Sequence, residues 1–133
     1  MVVAAVAVGA PPASATAWTV DVAAGGRGQA HARAAPAVPG GVTAVCTATL
    51  GTTIKVTWNS ATNATSYSVY ASTTNASSGF SLYASGIAGT TFTTSPLAAA
   101  TYWFEVASFT GANWASASSA ATASHMVTAA TCL

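Results

Sequence analysis

The sequence predicts an all-β fold, an antiparallel β-sandwich of seven short strands. Three stretches carry this prediction, because apolar and polar residues alternate along 53–58, 66–70 and 102–106. Alternation with a period of two marks a strand that has one face in a core and the other in water. The aromatic residues on the inward positions are Trp58, Tyr67, Tyr102 and Phe104. Turn-forming residues separate the strands, and no helical period occurs within 37–128.

Each predicted strand lies between turns rich in Gly, Ser, Thr or Asn. In chain order, the strands are predicted at 42–47, 53–58, 66–72, 80–84, 90–94, 102–108 and 116–127. On the second, third and sixth strands, the alternation assigns to the core Ile54, Val56, Trp58, Tyr67, Val69, Tyr102, Phe104 and Val106. On the fourth strand, the same alternation points Phe80 and Leu82 inward.

The chain is almost uncharged. Only 4% of its 133 residues are charged, and the formal net charge is +1. The strong bases Arg27, Arg33 and Lys55 are scattered, so the sequence lacks the clustered cations with which proteins bind nucleic acid. The polar surface must consist of Ser, Thr, Asn and Gly, as on many secreted proteins and repetitive assemblies. A net charge near zero also gives little protection against self-association.

Residues 1–17 form an apolar N-terminal segment. An unbroken run of apolar and small residues covers 2–10, two prolines end it, and two A-x-A sites follow. This pattern resembles a secretory signal peptide, although no Lys or Arg precedes the run. The alternative is an assembly segment that is kept in the mature protein and packs on a neighbouring subunit. The run is too short for a transmembrane span, which needs about 20 apolar residues.

Residues 18–36 are predicted as an extension and linker between this segment and the domain. A short strand is predicted at 18–22, and a stretch rich in Gly, Ala and Pro follows it. His31 lies in the linker without carboxylate or cysteine neighbours, so we expect it to be solvated.

Residues that could carry out chemistry are few. The predicted domain holds one carboxylate, Glu105, and one histidine, His125. Glycosidases need two carboxylates, and a Ser–His–Asp triad needs an acid to orient its histidine. We therefore expect no catalytic activity and no cofactor. Cys46 and Cys132 form no C-x-x-C motif, so no metal site is predicted. If the protein is secreted, we expect the two cysteines to form a structural disulfide, and otherwise they are free thiols.

Several strand motifs resemble one family. They are P-G-G-V-T-A at 39–44, V-T-W at 56–58, A-T-S-Y-S-V-Y at 64–70 and L-A-A-A-T-Y-W-F-E-V-A at 97–107. In these motifs, and over about residues 37–128, the chain resembles a fibronectin type III domain, with 129–133 left as a C-terminal tail. One departure is the spacing from Leu97 to Tyr102, which is one residue shorter than usual and lacks the Pro-Gly pair.

The resemblance implies an immunoglobulin-like sandwich in which Trp58 packs near Leu97 and Tyr102. It also implies that the Tyr102 hydroxyl hydrogen-bonds to upstream backbone. In this fold the end of the first strand and the end of the last strand lie at the same pole. Cys46 and Cys132 are therefore expected close together, where a bridge would tie the tail to the body of the domain.

A stripe of aromatic side chains is predicted on one outer face. By alternation Tyr70, Tyr83 and Trp103 point outward, and the resemblance makes their strands neighbours. Trp114 lies in the loop between the last two strands. Exposed aromatics suit stacking on sugars or contact with a protein partner. The competing interpretation is cross-strand aromatic pairing without a ligand.

These features predict a non-catalytic extracellular or cell-surface module with a structural or adhesive role. One form of it is the subunit of a self-assembling surface filament, such as a pilus, in which the N-terminal segment packs on a neighbour. The alternative is a binding module that recognises polysaccharide or another surface protein through the aromatic stripe. A third interpretation, an accessory module of a larger secreted hydrolase, is weakened because the sequence ends at Leu133.

Overall fold

The computed structural model describes residues 34–48 and 50–133. The apolar segment 1–17 and most of the extension 18–36, including its predicted strand, lie outside the described residues. The described chain contains eight strands, which are β1 (Thr43–Cys46), β2 (Ile54–Thr57), β3 (Ser66–Ser72), β4 (Ser81–Ile87), β5 (Thr91–Thr93), β6 (Ala100–Thr110), β7 (Trp114–Ala115) and β8 (His125–Val127). No helix able to cross a membrane was found in this part of the chain.

The described strands form two antiparallel sheets. One sheet has the order β1-β2-β5, and the other has the order β4-β3-β6-β7, with β8 also paired to β6. The predicted all-β antiparallel sandwich is confirmed. Of the last predicted strand, 116–127, only the end forms a strand, β8, while β7 lies just before it in the predicted loop. The long strand β6 organises the second sheet, because it pairs with β3 on one side and with β7 and β8 on the other.

The core consists of the inward side chains of β2, β3 and β6. The buried residues from the predicted set are Ile54, Val56, Trp58, Tyr67, Val69, Tyr102, Phe104 and Val106. The ring centroids of Trp58 and Tyr67 lie 5.4 Å apart, and the Ala61 N–H donates to the Tyr67 hydroxyl at 2.8 Å. Burial of each large apolar side chain stabilises the fold by about 1.5–3 kcal/mol. The alternation of residues along these strands therefore places the core correctly.

The fourth strand departs from the predicted alternation. The register of β3 with β4 shifts next to Tyr70, whose partner is Leu82, and Tyr83 is left as an extra residue on β4. A β-bulge of this kind changes which side chains face the core. Leu82 is 58% exposed, whereas Tyr83 packs against the core with its ring centroid 5.9 Å from that of Phe92. The predictions that Leu82 points inward and Tyr83 outward are wrong for this reason.

Residues 116–124, which we call the hydroxyl edge, take the place of all but the last three residues of the predicted last strand, 116–127. The residues of this edge that contact β6 are Ser116, Ser119 and Thr122, and their partners on β6 are, in the same order, Ser108, Val106 and Phe104. Each edge residue donates its N–H to the carbonyl of its partner at 2.9 Å. Each hydroxyl oxygen accepts the N–H of the same partner at 3.0 or 3.1 Å.

The hydroxyl edge cannot be a regular strand because its period differs from that of β6. Every third edge residue meets every second β6 residue, a step of about 6.8 Å along the strand. The intervening residues must bulge away from β6. A side-chain oxygen, in place of a backbone carbonyl, therefore accepts each of these β6 N–H groups. The edge hydroxyls also donate to the carbonyls of Ala117, Ala120 and Ala123.

The turn before β6 keeps the contact that the resemblance implied. The Tyr102 hydroxyl donates to the Ala98 carbonyl at 3.1 Å, although the spacing from Leu97 is short. The Leu97 N–H donates to the Thr52 carbonyl at 2.9 Å, and the Leu97 side chain packs half-buried against the core. The shortened turn therefore still anchors β6 to the rest of the domain.

Candidate functional site

Four side chains share the outer surface of the five-stranded sheet, and we call this surface the outer aromatic face. On β3 and β6, Tyr70 pairs with Glu105 and Ser72 pairs with Trp103. Paired residues project on the same side of a sheet, as do alternate residues along a strand, so Tyr70, Trp103 and Glu105 point away from the core. All three are half-buried. Leu82 on β4 pairs with Tyr70 and is 58% exposed, so it completes the face.

The outer aromatic face presents two aromatic rings and one carboxylate. Tyr70 and Trp103 are diagonal neighbours, which are about 7–8 Å apart in a sheet. Their rings can stack on a flat apolar surface, such as a sugar ring or a partner's side chain. Glu105 is the one charged residue of the face, and its carboxylate can accept hydrogen bonds from hydroxyl or amide donors.

The two other predicted site residues do not belong to this face. Tyr83 is directed into the core by the β4 bulge. Trp114 is 44% exposed and pairs with Thr110, a residue with the inward parity of β6. Thr110 lies about 24 Å along β6 from Trp103, at about 3.4 Å per residue. The structure therefore brings together Tyr70 and Trp103 and places Trp114 at the other end and on the other side of the sheet.

Sequence reasoning missed Leu82 as a member of the face. Its exposure results from the register between β3 and β4, which depends on both strands. The sequence holds one signal that could have warned of an irregular strand, a glycine just after the predicted strand 80–84. Gly86 has a φ of 69° and lies at a second register shift of the same strand.

The structure places the two candidate acid–base residues on opposite sides of the sheet. Glu105 is on the outer aromatic face. His125 pairs with Tyr102, whose side chain faces the core. A proton-transfer pair requires groups within hydrogen-bond reach of one substrate, so Glu105 and His125 do not form one.

A second group of residues lies where β1, β8 and the C-terminal tail meet. Cys46 at the end of β1 and Cys132 in the tail form a disulfide with a Cα–Cα distance of 5.6 Å. The tail reaches this position by pairing with β8: the Met126 and Leu133 N–H groups donate to each other's carbonyls at 3.0 and 2.9 Å. The expectation that both cysteines lie near one pole is confirmed.

His125 completes this group. Its Nδ1 lies 4.0 Å from the Sγ of Cys46, and a ring nitrogen of His125 and the two sulfurs all lie within 4.8 Å of one another. His125 and Cys46 are separated by 79 positions, and no spacing motif in the sequence links them. The pairing of β8 with β6 and of the tail with β8 places His125 and Cys132, and the closeness of β1 to β8 brings Cys46 to them.

Comparison with known proteins gives matches among solved structures. A scan against protein-family models and a search of curated proteins both find no match. A Fn3-like protein from Clostridium thermocellum is 31% identical, with a TM-score of 0.60 over 67% of this chain and 91% of that chain. The FN3tt crystal structure is 18% identical, with a TM-score of 0.59 over 72% and 97% of the two chains.

A fibronectin type III domain of the human fibronectin type III domain containing protein 3 also matches. It is 19% identical, with a TM-score of 0.50 over 70% of this chain and 87% of that domain. This match and the one to FN3tt establish the fold. The more similar Clostridium thermocellum protein is covered almost throughout its length, and the sheet order and the Tyr102 turn agree with the resemblance seen in the sequence motifs. The chain belongs to the fibronectin type III family.

Proposed function

We propose that this chain is a non-catalytic module that acts outside the cell, secreted or at the cell surface, in a structural or adhesive role. The observation that carries this proposal is a fibronectin type III sandwich closed by the Cys46–Cys132 disulfide. Domains of this family are structural or binding modules, and disulfides persist in oxidising compartments. A chain in which 4% of all residues are charged is in keeping with an assembled or wall-associated protein.

The location can be tested with an antibody against the domain. The medium, the cell surface and the cytoplasm of the producing cells are probed separately, with a cytoplasmic enzyme as the control for lysis. We expect the protein in the medium or at the surface. N-terminal sequencing of the recovered protein then shows whether residues 1–17 are retained, and a wholly cytoplasmic protein would contradict the proposal.

Self-assembly is the form of this function that we favour. Strand β4 ends the order β4-β3-β6, so one side of its backbone has no strand partner in the described chain. Its residues Ser81–Ile87 include no charge, and charges are the usual means by which an edge strand resists pairing. The apolar segment 1–17 could add to such an edge of a neighbouring subunit, as in other strand-addition assemblies.

The assembly proposal is tested by light scattering and negative-stain microscopy of the full chain. We expect filaments or oligomers, and monomers when residues 1–17 are deleted. Ser85→Lys places a charge on the exposed β4 edge and should also block assembly. Ser118→Lys is the matched control, because Ser118 is exposed on the hydroxyl edge at the other side of the sheet. Equal effects of the two lysines, or a monomeric full chain, would refute the edge assignment.

The alternative function is binding of polysaccharide or of another surface protein through the outer aromatic face. The contiguity of Tyr70, Leu82 and Trp103 on one surface favours it. Pull-down on insoluble polysaccharides, such as cellulose and chitin, tests the carbohydrate form. We expect Trp103→Ala to weaken binding at least about tenfold, or about 1.4 kcal/mol. Trp114→Ala is the matched control and should bind normally, so an equal loss from both variants would speak against the face.

A further inference from the structure

We propose that Cys46, His125 and Cys132 form a redox-controlled metal site, which the disulfide conceals in the oxidised protein and which binds a zinc-like ion after reduction. The three residues come from β1, β8 and the tail, and they meet at one pole of the sandwich. They supply two sulfur ligands and one imidazole nitrogen, a ligand set typical of zinc sites.

The distances are close to those of a tetrahedral zinc site. With Zn–S bonds of about 2.3 Å and Zn–N bonds of about 2.0–2.1 Å, neighbouring S and N ligands lie about 3.6 Å apart and two sulfurs about 3.8 Å apart. His125 Nδ1 is already 4.0 Å from the Cys46 Sγ, and all three ligand atoms lie within 4.8 Å of one another. Once the S–S bond is broken, the sulfurs need only move apart, which rotation about their Cα–Cβ bonds allows.

Backbone pairing, in addition to the disulfide, positions the three ligand residues. Cys46 pairs with Ile54 of β2, and His125 pairs with Tyr102 of β6. Cys132 is bridged to the backbone of β8. Each ligand is therefore positioned by hydrogen bonds that reduction does not break, and a preorganised ligand set favours binding.

The burial of the group leaves a path for a fourth ligand. Cys132 is 2% exposed, whereas Cys46 and His125 are half-buried. An ion held by three protein ligands at this pole can therefore take water as the fourth, as in open zinc sites. Soft thiolate ligands favour Zn²⁺ or Cd²⁺ over Mg²⁺ or Ca²⁺.

The switch between the two states is a two-electron reduction. A dithiol reductant transfers two electrons and two protons to the disulfide, which becomes two thiols while the reductant becomes a disulfide. Binding of the ion then releases the two thiol protons, because the thiolate is the metal ligand. In the oxidised protein the sulfurs are bonded to each other, and His125 alone does not form a site.

The experiment uses the full chain, reduced by a dithiol that is then removed under anaerobic conditions. Cd²⁺ is titrated and followed by its sulfur charge-transfer absorption, and Zn²⁺ is titrated by calorimetry. We expect one ion per chain in the reduced protein and none in the oxidised protein. His125→Ala should weaken binding at least about tenfold, since even residues that only support a ligand change affinity 10–100-fold. His31→Ala removes the other histidine of the chain and should bind like the parent.

Several results would overturn the proposal. Reduced protein that fails to bind one ion, or oxidised protein that binds equally well, excludes a redox-controlled site. Unchanged affinity in His125→Ala excludes the histidine as a ligand. Circular dichroism is recorded in parallel, and a reduced chain that is unfolded and does not refold when the ion is added also refutes the proposal.

Discussion

The two sides of β6 are held in different ways. On one side β6 pairs residue by residue with Ser66–Ser72 of β3, and the large side chains of both strands meet in the core. On the other side, every third residue of the hydroxyl edge hydrogen-bonds to β6, and its Ser or Thr side-chain oxygen accepts a β6 N–H. Burial stabilises the first side in proportion to apolar area, without regard to direction. The second side depends on individual hydrogen bonds, whose loss leaves buried donors unpaired.

The alternation of hydrogen bonds along β6 makes this difference measurable. The N–H groups of Phe104, Val106 and Ser108 point to the hydroxyl edge. Because successive N–H groups of a strand point to opposite sides, those of the odd-numbered residues between them point to β3. A change at the edge should therefore expose one group of amides, whereas a change in the core should destabilise both.

The largest effect is expected from the disulfide, which ties β1 of one sheet to the tail that pairs with β8 of the other sheet. Replacing Cys46 and Cys132 by alanine removes a crosslink between residues 86 positions apart. The chain-entropy relation gives about 4–5 kcal/mol for a loop of this length. Urea unfolding of parent and double variant measures the free energy of unfolding. A difference below about 1 kcal/mol would show that strand pairing alone holds the tail, a result outside the usual cost of about 2–5 kcal/mol.

Trp58→Ala should have the largest effect among core changes. The side chain is 4% exposed and packs on Tyr67, and truncation of a large buried aromatic costs about 3–5 kcal/mol. Thermal unfolding should become broad or start at a much lower temperature. Trp114→Ala, at a 44% exposed position, is the control and should change stability by no more than about 0.5 kcal/mol. Similar melting of Trp58→Ala and the parent would disprove the core assignment.

Thr122→Val tests the hydroxyl edge. The change keeps the shape of the side chain but removes the acceptor of the buried Phe104 N–H, which should cost about 1–3 kcal/mol. Hydrogen exchange should accelerate at Phe104 more than at Trp103 and Glu105. Ser118→Ala, an exposed position in the same segment, is the control. If hydrogen exchange accelerated equally at all β6 amides, the hydroxyl edge and the β3 side would not be independently stabilised, contrary to this prediction.

Tyr102→Phe should have the smallest effect. It keeps the ring in the core and removes only the hydrogen bond to the Ala98 carbonyl, which contributes about 0.5–1.5 kcal/mol. Denaturant unfolding detects this difference when the two proteins are measured side by side. A stability equal to that of the parent would show that the shortened turn has made the hydrogen bond dispensable.

The fold was predictable because local alternation and burial agree along most of the chain. On β2, β3 and β6 each inward residue found from the period of two is buried in the core. The prediction failed on β4, where a bulge at Tyr83 changes the parity, and a bulge is a property of two paired strands. It also failed along 116–124, where a period of three in Ser and Thr replaces a strand.

The candidate site was predictable only in part. Tyr70 and Trp103 share a face because their strands are regular neighbours. Because of the register shift on β4, the Leu82 side chain lies on that face and the Tyr83 side chain packs against the core. Trp114 lies at the opposite end of β6 from Trp103. The sequence places Trp114 in a loop but does not predict which end of the sheet that loop occupies.

The sequence by itself indicated the class of fold, the core positions on β2, β3 and β6 and a resemblance to the family, since these depend on periodicity and motifs within single strands. The tertiary structure alone decided which distant residues meet. His125 lies beside Cys132 because β8 pairs with β6 and the tail pairs with β8, and it lies beside Cys46 because β1 of the other sheet packs next to β8. Contacts of this kind depend on registers between segments far apart in the chain, which no local pattern records.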